Sequence, residues 1–120
     1  MLRCFYKHHP VNVCLDTGAE SNFISLRSAT EIDLQYNDSK QGAVQADAKT
    51  RLKVVGELEK FVLMRGAHSF VCEVLVVEED IGDVVGGEPF LELNDIYVRS
   101  SKKLIYIRDS EVINYSSASS

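Results

Sequence analysis

Residues able to do chemistry stand together in one short segment, where Asp16, Thr17 and Gly18 follow alternating apolar residues in "VNVCLDTGAESNFIS" (residues 11–25). The alternation predicts a strand with one apolar face, and this strand ends in a carboxylate. Asp16 is either a turn residue that accepts backbone N–H bonds beside a permissive glycine, or an acid that exchanges protons with a substrate. The three residues alone favour the turn, so the rest of the chain must decide.

The composition limits the classes of protein to consider. A chain of 120 residues with 45% hydrophobic and 26% charged residues is typical of one soluble globular domain. No apolar run is long enough to span a bilayer, and the first fifteen residues do not resemble a secretory signal. The formal net charge of −5 argues against nucleic acid as the main partner. The sequence therefore predicts no membrane and no nucleic-acid partner.

The cysteines and histidines indicate neither a disulfide framework nor a metal site. Cys4, Cys14 and Cys72 are odd in number and lack zinc-site spacing, which favours a reducing compartment and predicts a cytoplasmic location. Cys14 and Cys72 stand in apolar runs and are predicted to be buried, unreactive thiols. The histidines lack acidic or thiol neighbours at ligand spacing, so no metal and no cofactor are predicted.

Short strands separated by turn residues predict an all-β fold, either a small barrel or a sandwich. "LRCFYK" and "VNVCLD" predict an opening hairpin with Pro10 in its connection. "TRLKVVGELEKFVLM" and "SFVCEVLVVEED" predict a longer hairpin in which Gly56 marks a bulge. "SNFISLRSATEIDL" is ambiguous, because residues 28–34 also fit a helical turn.

The last third of the chain changes character. "VVGGEPFLELNDI" predicts a short helix that begins near Pro89, with an apolar face made by Phe90, Leu91, Leu93 and Tyr97. "YVRSSKKLIYI" then predicts a closing hairpin with a polar turn. The final "NYSSASS" is predicted to be a frayed tail.

Three ordered segments together resemble the retropepsin family, the aspartic proteases of retroviruses and long-terminal-repeat retrotransposons. They are "CLDTGAESNFIS" at 14–25, "DVVGGEPFLELNDI" at 83–96 and "KKLIYI" at 102–107. "DTGAESNFIS" is most similar to the retrotransposon proteases. The resemblance implies a small closed β-barrel with one short C-terminal helix over residues 1–108. Residues 109–120 would then be an extension that holds a dimer strand and a disordered tail.

The resemblance also implies a function. A retropepsin subunit supplies one aspartate, so this chain would form a homodimer in which two Asp16 carboxylates activate a water that cleaves a polypeptide. The expected substrate is the polyprotein of the retroelement that encodes the enzyme, processed in the cytoplasm or in virus-like particles. No cofactor and no metal are implied.

The resemblance gives roles to the neighbours of Asp16. Thr17 would hydrogen-bond across the two-fold axis, although a local turn bond fits it equally well, and Gly18 would allow close approach of backbone and substrate. A flap over residues 45–55 would cover the substrate, unless this segment is a plain surface hairpin. The implied substrate-binding residues are Ala19, Glu20, Asp47, Ala48 and Lys49, and the implied supports of the site are Val84, Val85 and Gly86.

The chain departs from the family pattern in two places and adds one expectation. The flap tip, near residues 47–50, lacks glycine, and Gly87 stands where many retroviral members have an arginine that pairs with an acid near the site. Glu20 would then pair with Arg99 or Arg108, or remain solvated. Because only fifteen residues precede Asp16, we expect the C-terminal "KKLIYIRDSEVINY" to contribute more to dimerisation than the N-terminus.

Three other interpretations remain open from the sequence. The first is a retropepsin-like domain within a cellular protein of the ubiquitin-shuttle kind. The second is a dimeric module that binds peptides without cleaving them, against which the intact Asp16-Thr17-Gly18 speaks. The third is an unrelated all-β interaction domain in which Asp16 is a turn residue.

Overall fold

The computed structural model describes residues 1–39, 41–45 and 50–115, and in these the chain forms eleven β-strands and two short α-helices. The strands are β1 Leu2–Tyr6, β2 His9–Leu15, β3 Phe23–Ser25, β4 Asn37–Asp38, β5 Ala43–Gln45, β6 Arg51–Arg65, β7 His68–Val77, β8 Val84–Gly86, β9 Ile96–Arg99, β10 Leu104–Ile107 and β11 Glu111–Asn114. The helices are α1 Leu26–Glu31 and α2 Glu88–Leu93, and a 3₁₀ turn spans Ser100–Lys102.

Six strands close into a barrel. Their hydrogen-bonded order is β1-β2-β8-β3-β7-β6, and β6 returns to β1 where Phe5 pairs with Met64. β4 and β5 pair with β6 outside this circuit. The predicted all-β fold with a small closed barrel is therefore confirmed. Neither helix in the described part of the chain is long and apolar enough to cross a membrane.

The opening hairpin is present, but Pro10 does not lie in its connection. Tyr6 pairs with His9 and Phe5 pairs with Pro10, so the turn consists of Lys7 and His8 alone. Lys7 has a φ of 55°, the left-handed conformation that tight two-residue hairpin turns require. The predicted position of Pro10 was wrong because a proline is tolerated near the start of a strand, where its missing N–H costs little.

The bulge predicted at Gly56 is confirmed. The register of β6 against β7 shifts between Val54 and Gly56. A Cβ on Gly56 would collide with the ring of Tyr36 and would lie 3.0 Å from the carbonyl oxygen of Asn37. Gly56 thus lets the segment that carries β4 pack closely against the long strand, which bends there.

Two clusters of buried side chains form the core. The larger fills the barrel and includes the aromatic side chains Phe61, Phe70 and Phe90. The smaller lies under the loop that follows β2 and consists of Ala19, Phe23, Leu52, Val54 and Val77. The alternation that predicted the strands is also what directs one face of each strand to these clusters.

The helices differ from the prediction of one short helix. α1 occupies part of the ambiguous segment, and it begins where the Ser25 hydroxyl accepts a bond from the Ser28 N–H at 3.2 Å. α2 begins near Pro89 as predicted and buries Phe90 and Leu91.

The apolar face predicted for α2 was wrong for two of its four residues. Leu93 is 64% exposed and Tyr97 is 58% exposed. α2 ends at Leu93, and Tyr97 lies beyond it in β9. The helix is too short to carry its apolar stripe as far as residue 97, and Leu93, its last residue, lies on the exposed side of the helix.

The C-terminal part folds into a three-stranded antiparallel sheet in the order β11-β10-β9. The predicted closing hairpin is confirmed as β9 and β10, joined by the 3₁₀ turn. Ile105 and Ile107 point into the core, whereas Tyr97, Tyr106 and Val112 are cross-strand neighbours on the outer face. The extension predicted for residues 109–120 contributes β11, which pairs within its own chain, and residues 116–120 lie outside the described residues.

Candidate active site

The pairing of β8 holds the loop that contains Asp16. β8 lies between β2, to which it is parallel, and β3, to which it is antiparallel. Leu15 at the end of β2 pairs with Gly86, and Phe23 at the start of β3 pairs with Val85. The loop of residues 16–22 therefore leaves and returns at the same end of β8, which also places the implied support residues Val84, Val85 and Gly86 directly beneath it.

Asp16 is exposed and is held by three hydrogen bonds. Its backbone N–H donates to the carbonyl of Gly86 at 2.9 Å, and its own carbonyl accepts from the Ala19 N–H at 3.2 Å. The Gly18 N–H donates to the carboxylate oxygen Oδ1 at 2.9 Å. Within the described residues the other oxygen, Oδ2, has no hydrogen-bond partner. The bonds of an Asp turn are thus present, yet they leave one carboxylate oxygen available for a ligand.

Asn22 anchors the same loop to two distant elements. Its buried side chain accepts from the Gly87 N–H at 2.9 Å and the Phe90 N–H at 3.2 Å, and it donates to the Glu73 carbonyl at 2.9 Å. The sequence analysis missed this residue. The available signal was a polar amide directly before an apolar strand, a position where a buried side chain must find partners.

We expect Asn22→Ala to lower the free energy of unfolding by about 2 kcal/mol, because it leaves two buried N–H groups and one carbonyl without partners. Denaturant unfolding of the variant measures this effect. Asn37→Ala, which removes an exposed asparagine from β4, is the matched control and should change stability little. Equal stability of the two variants would contradict the anchoring role of Asn22.

The other loop residues to which the resemblance gave a role differ in their exposure to solvent. Thr17 and Glu20 are exposed, whereas Ala19 is buried in the smaller core cluster. Glu20 has no ion pair within the described residues. Arg108 instead donates to the Ser69 carbonyl at 2.8 Å, and its guanidinium lies over a phenylalanine ring.

β5 and the start of β6 form a hairpin in the segment where the flap was predicted. Val44 pairs with Leu52, and Gln45 pairs with Arg51, so β5 and the start of β6 form its stem. The predicted tip residues Asp47, Ala48 and Lys49 lie outside the described residues. Leu52 belongs to the same core cluster as Ala19, so the stem of the hairpin and the loop that carries Asp16 share buried apolar contacts.

A cavity of about 280 Å³ opens beside Asp16, and Cys14 is part of its wall. The prediction that Cys14 is buried was wrong, because alternation along β2 places it on the same face as Asp16 rather than with Val13. Thr17 lines the cavity as well, as do Val98 and Ile105 of the C-terminal sheet. The full lining consists of Met1, Cys14, Leu15, Asp16, Thr17, Val98, Ser100, Ile105 and Tyr115.

Cys14 is expected to be the one cysteine that a thiol reagent modifies in the folded protein at neutral pH. Burial raises the pKa of Cys4 to about 11 and that of Cys72 to about 12, so both stay protonated and unreactive. Alkylation with iodoacetamide, followed by mass spectrometry of the peptides, measures the three rates. Cys14→Ser should abolish fast labelling, and rapid modification of Cys72 in that variant would disprove the assignment.

The closed barrel, with its Asp-Thr-Gly loop set against β8, defines a retropepsin-like fold. No protein-family model and no curated protein matches the chain. Among solved structures, the retroviral protease-like domain of Ddi1 from Leishmania major is similar to it, with a TM-score of 0.70 and 16% sequence identity. The match covers 92% of this chain and 89% of that one. At this identity the likeness establishes the fold, and the function has to be argued from the site.

Proposed function

We propose that this chain is a homodimeric aspartic endopeptidase, in which each copy supplies one Asp16. The observation that carries the proposal is the exposed carboxylate of Asp16 at the edge of a retropepsin-like barrel. Its Oδ1 accepts the Gly18 N–H, and the Asp16 backbone N–H donates to the Gly86 carbonyl. The sequence contains a single Asp-Thr-Gly. A catalytic pair therefore requires a second copy, related by a two-fold axis.

The proposed chemistry uses a water molecule between the two carboxylates. Two facing carboxyl groups cannot both ionise comfortably, so they share one proton. The ionised carboxylate accepts a proton from the water, and the water oxygen attacks the scissile carbonyl carbon. At the same time the protonated carboxyl group gives its proton to the carbonyl oxygen. The C–N bond of the tetrahedral intermediate then breaks. The carboxyl group that took the proton from water gives it to the leaving nitrogen, and the other carboxylate accepts a proton from a hydroxyl of the intermediate, which restores the shared proton.

The neighbouring residues would orient the acid and hold the substrate. The Gly18 N–H fixes Oδ1 of Asp16, which would leave Oδ2 for the water and the substrate. Thr17 is proposed to bond across the two-fold axis, and Glu20 to receive backbone N–H groups of an extended peptide. The hairpin of β5 and β6 would cover that peptide, with Asp47, Ala48 and Lys49 at its tip.

Two origins of the substrate fit this chemistry. A retroelement polyprotein, processed in the cytoplasm or in virus-like particles, is our first proposal and rests on the resemblance of "DTGAESNFIS" to retrotransposon proteases. The similarity to a domain of Ddi1 favours a domain of a cellular protein as the second candidate. Mass spectrometry of the native protein separates them, because self-excision predicts termini that do not form when Asp16 is replaced by asparagine.

The enzyme hypothesis is tested by incubating the protein with a library of extended peptides at mildly acidic and at neutral pH. Cleavage by the wild type that Asp16→Asn lacks is the expected result. Equal cleavage by both proteins would point to a contaminating protease. A stable dimer that cleaves no peptide would instead support the non-catalytic peptide-binding module.

A further inference from the structure

We propose that a cleft between β1, the β6–β7 turn and the β10–β11 turn is a second binding site, which takes an acidic peptide segment with an apolar side chain beside its carboxylates. This basic cleft has a volume of about 600 Å³. The proposal is independent of catalysis by Asp16. The side chains that the argument uses are Arg3, Phe5, Arg65 and Glu111, all of which line the cleft.

The basic cleft is separate from the cavity beside Asp16. The two share no lining residue. Phe5, in the wall of the basic cleft, pairs with Pro10 next to the turn of the first hairpin. At the other end of the same hairpin Leu2 pairs with Val13, close to the end of β2 that leads to Asp16. A ligand in the basic cleft would therefore leave the proposed catalytic site unoccupied.

An exposed apolar pair forms one side of the basic cleft. Phe5 is 42% exposed and Met64 is 41% exposed, and they are direct partners where β1 meets β6. Arg3 lies on the same outward face of β1 as Phe5, because side chains two residues apart in a strand share a face. Aromatic, methionine and arginine side chains are enriched where proteins bind one another. This rim thus offers an apolar contact directly beside a positive charge.

The two arginines of the basic cleft are held differently. Arg3 is exposed, and its guanidinium has no hydrogen bond or ion pair within the described residues. Arg65 donates from Nη1 to the Arg3 carbonyl at 3.0 Å and from Nη2 to Glu111 at 3.3 Å. A guanidinium carries more N–H donors than these two bonds use. Arg65 is therefore fixed in place with donors left for a carboxylate, and Arg3 is free to bind a second one.

Charge and shape together select the ligand. Glu111 is the one acid among the described residues that line the basic cleft, so the cleft is positive in a protein whose formal net charge is −5. Complementary charge draws acidic groups to such a patch. The exposed Phe5 and Met64 would be left in water by a small inorganic anion, whereas an apolar side chain of a peptide covers them. The combination favours an acidic peptide.

The test titrates the protein into fluorescein-labelled peptides and measures fluorescence anisotropy. A peptide that contains Glu-Phe-Asp is compared with otherwise identical peptides that contain Gln-Phe-Asn or Glu-Ala-Asp. Saturable binding of the first is expected, with a Kd at least about tenfold below that of the uncharged peptide. The alanine peptide should bind more weakly than the first, because it leaves the exposed pair uncovered.

Three variants locate the binding. Arg3→Glu is expected to raise the Kd at least about tenfold, since it replaces an attraction by a repulsion. Lys102→Glu changes the net charge equally but lies in the 3₁₀ turn, outside the basic cleft, and should leave the Kd unchanged. Glu111→Gln removes the acid that competes for Arg65 and is expected to lower the Kd by about threefold. Thermal unfolding verifies that all three are folded.

The sign of these changes decides the proposal. Weaker binding by Arg3→Glu together with tighter binding by Glu111→Gln supports it, because damage to the fold would not strengthen binding. Equal weakening by Arg3→Glu and Lys102→Glu, or weaker binding by folded Glu111→Gln, would overturn it. Absence of binding by the wild type, or tighter binding of a short single-stranded oligonucleotide than of the acidic peptide, would also overturn it.

Discussion

Asp16→Asn is expected to lower the turnover of a peptide substrate by about a thousandfold or more, while the fold and the dimer persist. Asparagine has nearly the same shape as aspartate, and its side-chain oxygen can still accept the Gly18 N–H bond that now ends on Oδ1. It cannot, however, take a proton from water. The loss would therefore fall on the rate of the chemical step rather than on substrate binding.

Turnover number and Michaelis constant, measured separately for the two proteins, distinguish these effects. A mixing experiment then tests the shared site. If each active unit needs two intact copies, an equal mixture of freely exchanging wild type and Asp16→Asn should retain about one quarter of the activity of undiluted wild type. Retention of about one half would show that each copy works alone.

Gly87→Ala is expected to lower the free energy of unfolding by about 3 kcal/mol. Gly87 has a φ of −87°, which any residue adopts, so the need for glycine is a matter of space. A Cβ there would collide with the carbonyl oxygen of Ser21 and lie 2.6 Å from that of Ala19. These are backbone atoms of the loop that carries Asp16, and they cannot rotate away as the end of a side chain would.

Chemical denaturation measures the loss, and Gly66→Ala provides the comparison. Gly66 has a φ of 56° and open space around its Cα, so alanine there costs only the strain of a left-handed backbone, about 1–2 kcal/mol. Gly87→Ala should be the more damaging of the two. A stability of Gly87→Ala equal to that of the wild type would refute the close packing of loop and helix.

The barrel was predictable because most of its strands show a local alternation of apolar and polar residues. Alternation of apolar residues predicted the long hairpin of β6 and β7, and a glycine inside that pattern predicted the bulge at Gly56. For Cys14, two local signals gave opposite predictions of burial. Cys14 stands in an apolar run, yet its place in the alternation puts it with Asp16, and the alternation was correct.

The candidate site was predictable only in part, because its anchors are far apart in sequence. The motif named Asp16, but it could not reveal that Asn22 caps the start of α2, since the bond from the Gly87 N–H spans 65 residues. The neighbours of Gly87 are also distant in sequence. From the sequence alone, Gly87 was therefore notable only because it occupies a position where many retroviral members have an arginine. Its actual environment, the backbone of residues 19–21, appears only when the chain is folded.

The insertion of β8 between β2 and β3 has a consequence for the order of events during synthesis. The loop of Asp16 is made early, but the Gly86 carbonyl and the Gly87 N–H that hold it leave the ribosome some seventy residues later. A nascent chain therefore cannot assemble the site until most of the domain has been translated. Delayed assembly of this kind would keep a protease silent while its own polypeptide is still being made.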